Sequence, residues 1–101
     1  MTVNAQQASM KSIFRRLQTK CKASSNYTEV DLGSRAGLPE LALHMQADKT
    51  IVVWVTFDAE SGQANLSIDI DQADSSIRLC KAEIEMLFRQ ATAEYISALD
   101  A

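Results

Sequence analysis

The chain has a single histidine, His44, and only two cysteines, Cys21 and Cys80. Metal templates built from clusters of cysteine and histidine therefore lack a ligand set. The same scarcity removes the usual nucleophile–base pairs, because no serine or cysteine stands in a nucleophile motif that His44 could serve. One proline and three glycines, with no low-complexity run, argue against a disordered or fibrous chain. No apolar run approaches the roughly 18–20 residues that span a bilayer. The N-terminal stretch lacks the apolar centre of a secretory signal. Acidic residues are absent from the first 22 positions, which carry Lys11, Arg15, Arg16, Lys20 and Lys22.

What is present suits one soluble globular domain. Apolar residues make up 47% and charged residues 23% of the chain, both ordinary values. A domain of this length buries roughly 60–68% of its unfolded surface, enough for one core without metal or disulfide staples. The domain is expected to span residues 1–101, with 1–8 flexible. Cys21 and Cys80 both fall among apolar helical positions, which reads as buried reduced thiols of a cytoplasmic protein. The net charge of −3 is unevenly distributed: five cations stand alone at the N-terminus, and the rest of the chain sets five against thirteen carboxylates.

Periodicity divides the chain into two helices around a run of strands. Met10, Ile13, Phe14, Leu17 and Cys21 recur at steps of three and four, predicting a helix over 9–22 capped by Ser9. Lys11, Arg15 and Lys22 fall opposite that stripe, and Arg16 and Lys20 on its flank. The basic, acid-poor composition resembles an organellar transit peptide, but the packing stripe marks the segment as part of the fold. Period two then takes over, with strands at 27–32, 41–47, 50–57 and 65–70. Gly33 to Pro39 reads as a loop, since glycine and proline favour turns.

The turn Asp58–Gln63, with Gly62 at positive φ, pairs Val55 with Leu66, Val53 with Ile68 and Ile51 with Ile70. The preceding hairpin is open to two registers. A two-residue turn at Asp48-Lys49 gives the sheet a second apolar face around Val52 and Trp54. A loop of three or five residues puts Leu41, Leu43 and Met45 into the main core and leaves Trp54 on a mostly polar face. Lysine fits positive φ poorly, which favours the odd-length loop.

A second helix is predicted over 74–99, capped by Asp74, with Ser75 and Ser76 in its first turn. Its apolar stripe comprises Ile77, Cys80, Ile84, Leu87, Phe88, Ala91, Tyr95 and Leu99. Glu85 and Arg89 form an i,i+4 pair worth a few tenths of a kcal/mol. The fold class is α+β: a four-stranded antiparallel meander flanked by an N-terminal and a C-terminal helix.

Candidate sites are few. His44 alternates with leucines and reads as a surface or half-buried strand residue. Asp69, Asp71 and Asp74 lack the spacing of a calcium loop and read as capping and solubilising groups. The Gly33–Gly37 segment could offer N–H groups and Arg35 to an anion, but it lacks the spacing and lysine of a phosphate loop and reads as a connection. No catalytic, cofactor or metal site is assigned, and no small-molecule substrate is evident. Trp54 with Val52 is a candidate contact, because tryptophan is enriched at interface centres. Cover from the chain's own 33–39 segment or first helix is the competing account.

The expectation is therefore a non-enzymatic, cytoplasmic protein-interaction module, a homodimer or an adaptor, chaperone-like or host-factor-binding protein. Its contact residues would be Trp54, Val52, Lys11, Arg15 and Lys22. The alternative is a nucleic-acid-associated regulator using Arg15, Arg16, Lys20 and Lys22. Five cations without interleaved aromatics and a pI near 5.0 weigh against it. Membrane association is not expected, because the first helix offers only Phe14 as a strong anchor.

Overall fold

The computed structural model describes residues 3–70 and 75–99, with the side chains of 9–70 and 77–99. The chain runs α1 (Val3–Lys22), β1 (Glu29–Arg35), β2 (Leu38–Met45), β3 (Lys49–Phe57), β4 (Ala64–Ile70) and α2 (Ser75–Leu99). The strands form one antiparallel sheet in the order β1-β2-β3-β4. This is the expected α+β meander flanked by two helices.

The β3–β4 hairpin has the predicted register, with Ile51 opposite Ile70, Val53 opposite Ile68 and Val55 opposite Leu66. Its loop is closed by the Asp58 N–H donating to the Gln63 carbonyl at 2.8 Å, and Gly62 takes a φ of 71°. The Asp58 carboxylate accepts the N–H groups of Glu60 and Ser61 at 2.7 and 3.1 Å. The Ser61 bond, then the Glu60 bond, holds this carboxyl below its usual range. The β2–β3 connection is the odd-length loop, three residues between Met45 and Lys49. Ala47 and Asp48 supply its left-handed turn at φ 64° and 59°. Leu41 and Leu43 thereby face Val53 and Ile51 in the main core.

The first strands depart from expectation. Residues 33–39 are no loop: β1 continues to Arg35 and β2 starts at Leu38, joined by the two-residue turn Ala36-Gly37. Both turn residues have positive φ, 52° and 81°, the requirement of the turn whose twist matches a hairpin. Pro39 fits in a central strand because β2–β3 pairing begins only at Glu40 opposite Trp54, so no ladder bond is lost. α1 also begins ahead of the predicted cap. The helix starts at Val3, six residues before the predicted start at 9, as suits a segment containing Ala5, Gln6, Gln7 and Ala8. Ser9 is internal to it, and its hydroxyl meets the Tyr95 hydroxyl at 3.2 Å. The Asp74 cap, with the Ser75 and Ser76 side chains, lies outside the described residues.

Both helices pack on one face of the sheet. Phe14 and Leu17 of α1, Ile77 and Ile84 of α2, and Leu41, Leu43, Ile51 and Val53 of the strands share one core and are at most 1% exposed. The rings of Phe14 and Phe88 meet edge to face, 6.0 Å between centroids at 72°. Ser9 meets Tyr95, and Ser24 donates to Glu83 at 3.4 Å, so α1 and α2 run antiparallel. Burial, then the Glu83 charge, pushes the Cys21 thiol up to about 12. Burial also raises Tyr27, whose hydroxyl lies beside Cys80 and has no partner of normal hydrogen-bond geometry. Alternation leaves Asp31, Arg35, Glu40, His44, Val52, Trp54, Ser67 and Asp69 on the face opposite the core, away from α1 and α2. Among the described residues, no helix is long and apolar enough to cross a membrane.

Candidate functional site

The five cations of α1 do not form one patch. Glu94 of α2 takes up two of them, with Lys20 Nζ at 2.6 Å and Arg16 at 3.7 Å. The hydrogen bond from Lys20 is the main reason the Glu94 carboxyl sits below its usual range, and the nearby Lys20 and Arg16 charges add to it. The flanking pair thus shares one carboxylate within the fold. Lys11, Arg15 and Lys22 stay exposed, and none forms an ion pair among the described residues. The structure separates even these three. Lys11 and Arg15 line a cavity of about 170 Å³ with Leu32, Gly33, Ser34 and Pro39. Lys22 lines another, of about 340 Å³, with Tyr27, Glu29 and Asp31.

Trp54 and Val52 lie side by side on the open face of the sheet. The register sets Trp54 between Glu40 and Ser67, and Val52 between Ala42 and Asp69. Both are half-buried. The Arg35 guanidinium stacks over the indole 4.2 Å from its centroid and pairs with Glu40 at its side. Cover from the 33–39 segment, one of the two readings of Trp54, is therefore real. It comes from a strand residue, with an attraction of roughly 0.5–1 kcal/mol at an exposed site.

At the other end of the same face, β1 and β2 bring together groups that are far apart in sequence. Glu29 is directly opposite His44, and Asp31 Oδ2 lies 3.2 Å from His44 Nε2. Ligand atoms of Glu29, Asp31 and His44 lie within 4.8 Å of one another. Two carboxylates and an imidazole could hold a divalent cation after small side-chain rotations. His44 is half-buried, as expected of a strand residue, but it is not isolated. Asp69 is exposed on this face, and Asp71 and Asp74 lie outside the described residues.

A surface missed in the sequence is the outer side of α2. The exposed large apolar side chains among the described residues are Leu79 at 74%, Met86 at 45%, Ile96 at 53% and Leu99 at 65%, all on this helix. Leu99, which the helical period places on the inward stripe, is exposed at the C-terminal end of α2. Leu79, Met86 and Ala93 recur every seven residues, with Ala82 and Ile96 between and beyond them. All five are exposed. This is the spacing of a helix–helix seam. Arg89, three residues after Met86, falls within this run, and Arg78, Glu83 and Glu85 border it.

Comparison with known proteins found no matching family model, no similar curated protein and no similar solved structure.

Proposed function

We propose that this chain is a non-enzymatic, cytosolic protein-interaction module that self-associates through the outer face of α2. The observation that carries the reading is the concentration of exposed large apolar side chains on one helix. A solvated helix normally shows one apolar stripe, toward its own core. α2 has two, and the second is uncovered. Singly scattered apolar residues need no explanation, whereas a contiguous run along a helix marks a contact surface.

A second copy suits this surface because the stripe is symmetric. Leu79 and Ile96 are equidistant from the point between Leu87 and Phe88, close to the middle of α2, as are Ala82 and Ala93, and Met86 lies near it. An antiparallel pair about a two-fold axis sets Leu79 against Ile96 of the other copy and Ala82 against Ala93. The alanines permit close approach, and the larger residues fill the ends. The same symmetry sets Arg89 opposite Met86 of the other copy, and Glu85, one turn away on the same helix, offsets the charge that the two arginines bring near the axis. Two buried, unpaired cysteines suit a reducing compartment. The open sheet face around Trp54 and Val52 is left for an adaptor's further partner. With Arg16 and Lys20 engaged by Glu94, α1 retains three of its five cations for a nucleic acid, divided between two cavities, and that reading is not proposed.

Sedimentation velocity over a range of concentrations tests the reading. Wild type is expected to show a concentration-dependent dimer. Leu79→Glu with Met86→Glu should give a folded monomer, since both positions are exposed within the chain. Trp54→Ala should leave the dimer intact. A wild type monomeric at all concentrations would sink the proposal.

A further inference from the structure

The cavity between α1 and the β1–β2 hairpin collects donors from two segments that sequence reasoning treated separately. Lys11 and Arg15 are one helical turn apart on the exposed side of α1 and line it from one side. Gly33, Ser34, Leu32 and Pro39 line it from the other. No carboxylate is among these residues, and neither cation has an ion-pair partner among the described residues. In a chain of net charge −3, this is a local pocket of positive potential.

The backbone adds to it. β1 is an edge strand, so alternate residues direct N–H and C=O away from β2. Which residues these are is fixed by Gln18, whose side-chain amide donates to the Val30 carbonyl at 3.2 Å from α1. Val30 therefore faces the free edge, and by the two-residue period Leu32 and Ser34 do too. Ser34 offers its N–H there, and its hydroxyl stands on the helix side of the sheet with Leu32 and Pro39. Lys11, Arg15 and Ser34, which carry an ammonium, a guanidinium, a hydroxyl and a backbone N–H, thus line one small cleft with two apolar residues in its wall.

We propose that this cleft binds the phosphoryl dianion of a small phosphate monoester. Arginine presents a planar fork that matches phosphate oxygens bidentately, and lysine adds a compact point charge. Ser34 adds a hydroxyl and an N–H from the strand side of the cleft, opposite the two cations of α1. The volume of about 170 Å³ accommodates the phosphoryl group and a small apolar body against Leu32 and Pro39, but not a polymer threaded through it. Lys22 takes no part, because it lines the separate cavity beside Glu29 and Asp31.

The test is an amide-resolved NMR titration of the full chain with inorganic phosphate and with phenyl phosphate, against chloride at matched ionic strength. Saturable shifts of the Gly33 and Ser34 amides are expected, with a Kd of about 1 mM for phosphate. Phenyl phosphate should bind more tightly. Arg15→Gln should weaken both at least about tenfold, and Lys22→Gln should change neither; both side chains are exposed, so the fold is retained. Affinity should fall between about pH 7.5 and about pH 5.5 as the dianion is protonated. Shifts that grow linearly without saturation overturn the proposal, as does equal weakening by Lys22→Gln. Tighter binding of a short oligonucleotide, which offers only phosphodiesters, overturns it in favour of a nucleic-acid contact.

Discussion

Phe14 is the side chain through which α1 joins both the sheet and α2, and its removal should be severe. It is fully buried and meets Phe88 edge to face. Truncating a buried phenylalanine to alanine costs roughly 3–5 kcal/mol, from lost transfer energy and the cavity left behind. A domain of this size has roughly 5–15 kcal/mol in total, so Phe14→Ala consumes a large fraction of it. Phe14→Leu keeps most of the volume and should cost less, about 1–1.5 kcal/mol. Urea unfolding followed by far-UV circular dichroism reads both values. Protein concentration must be held constant, because self-association contributes to apparent stability by mass action. A double-mutant cycle with Phe88→Leu should show coupling of about 0.5–1.5 kcal/mol, the share belonging to the ring pair. A cost below about 1 kcal/mol for Phe14→Ala would refute the placement of α1 in the core.

Two further outcomes follow from the turns and the buried thiol. Ala36→Asn creates the Asn-Gly pair that favours the observed turn, and relieves a left-handed alanine at φ 52°. It should raise stability by about 1 kcal/mol in the same urea assay, and a loss of stability would contradict the turn assignment. Stability should also fall at alkaline pH. The folded Cys21 thiol ionises only near 12 against 9.0 for the free group, and Tyr27 is raised too. The native state therefore holds protons that the unfolded state releases, so stabilisation is complete below about pH 9 and is lost as pH rises toward 12. Cys21→Ala should flatten this slope in denaturation curves taken between those pH values, and an unchanged slope would count against the burial.

The parts of the fold legible in the sequence were those where local chemistry and hydrophobic period agreed. The β3–β4 hairpin had Gly62 at the one position needing positive φ and clean alternation on both strands, so a single register buried every apolar residue. The β1–β2 hairpin carried no such signature, because an alanine occupies a position where asparagine or glycine is usual. Pro39 then read as a breaker, although it sits just past the end of the β2–β3 ladder. Cover on Trp54 from the 33–39 segment is one of the accounts the sequence allows, beside cover by α1 and an interface role, and nothing in it singles out Arg35, whose position depends on that same turn. The cluster of Glu29, Asp31 and His44 arises from cross-strand pairing and has no sequence spacing of its own. On α2 the inward stripe is strong enough to mask the outer one, two of whose five residues are alanine. Leu79 to Met86 to Ala93 was visible as a seven-residue step only once exposure showed that nothing in the chain covers it.

Site-directed crosslinking of α2 tests the central claim most directly. Leu79→Cys and Ile96→Cys variants, mixed and oxidised mildly, should form a disulfide-linked dimer between the two species. Neither variant alone should do so, because in an antiparallel pair each residue lies about 25 Å from its own copy. The native cysteines are buried and should remain reduced. Efficient crosslinking in the mixture only is the predicted result. No dimer in the mixture, with every species running as a monomer, would contradict self-association through this helix.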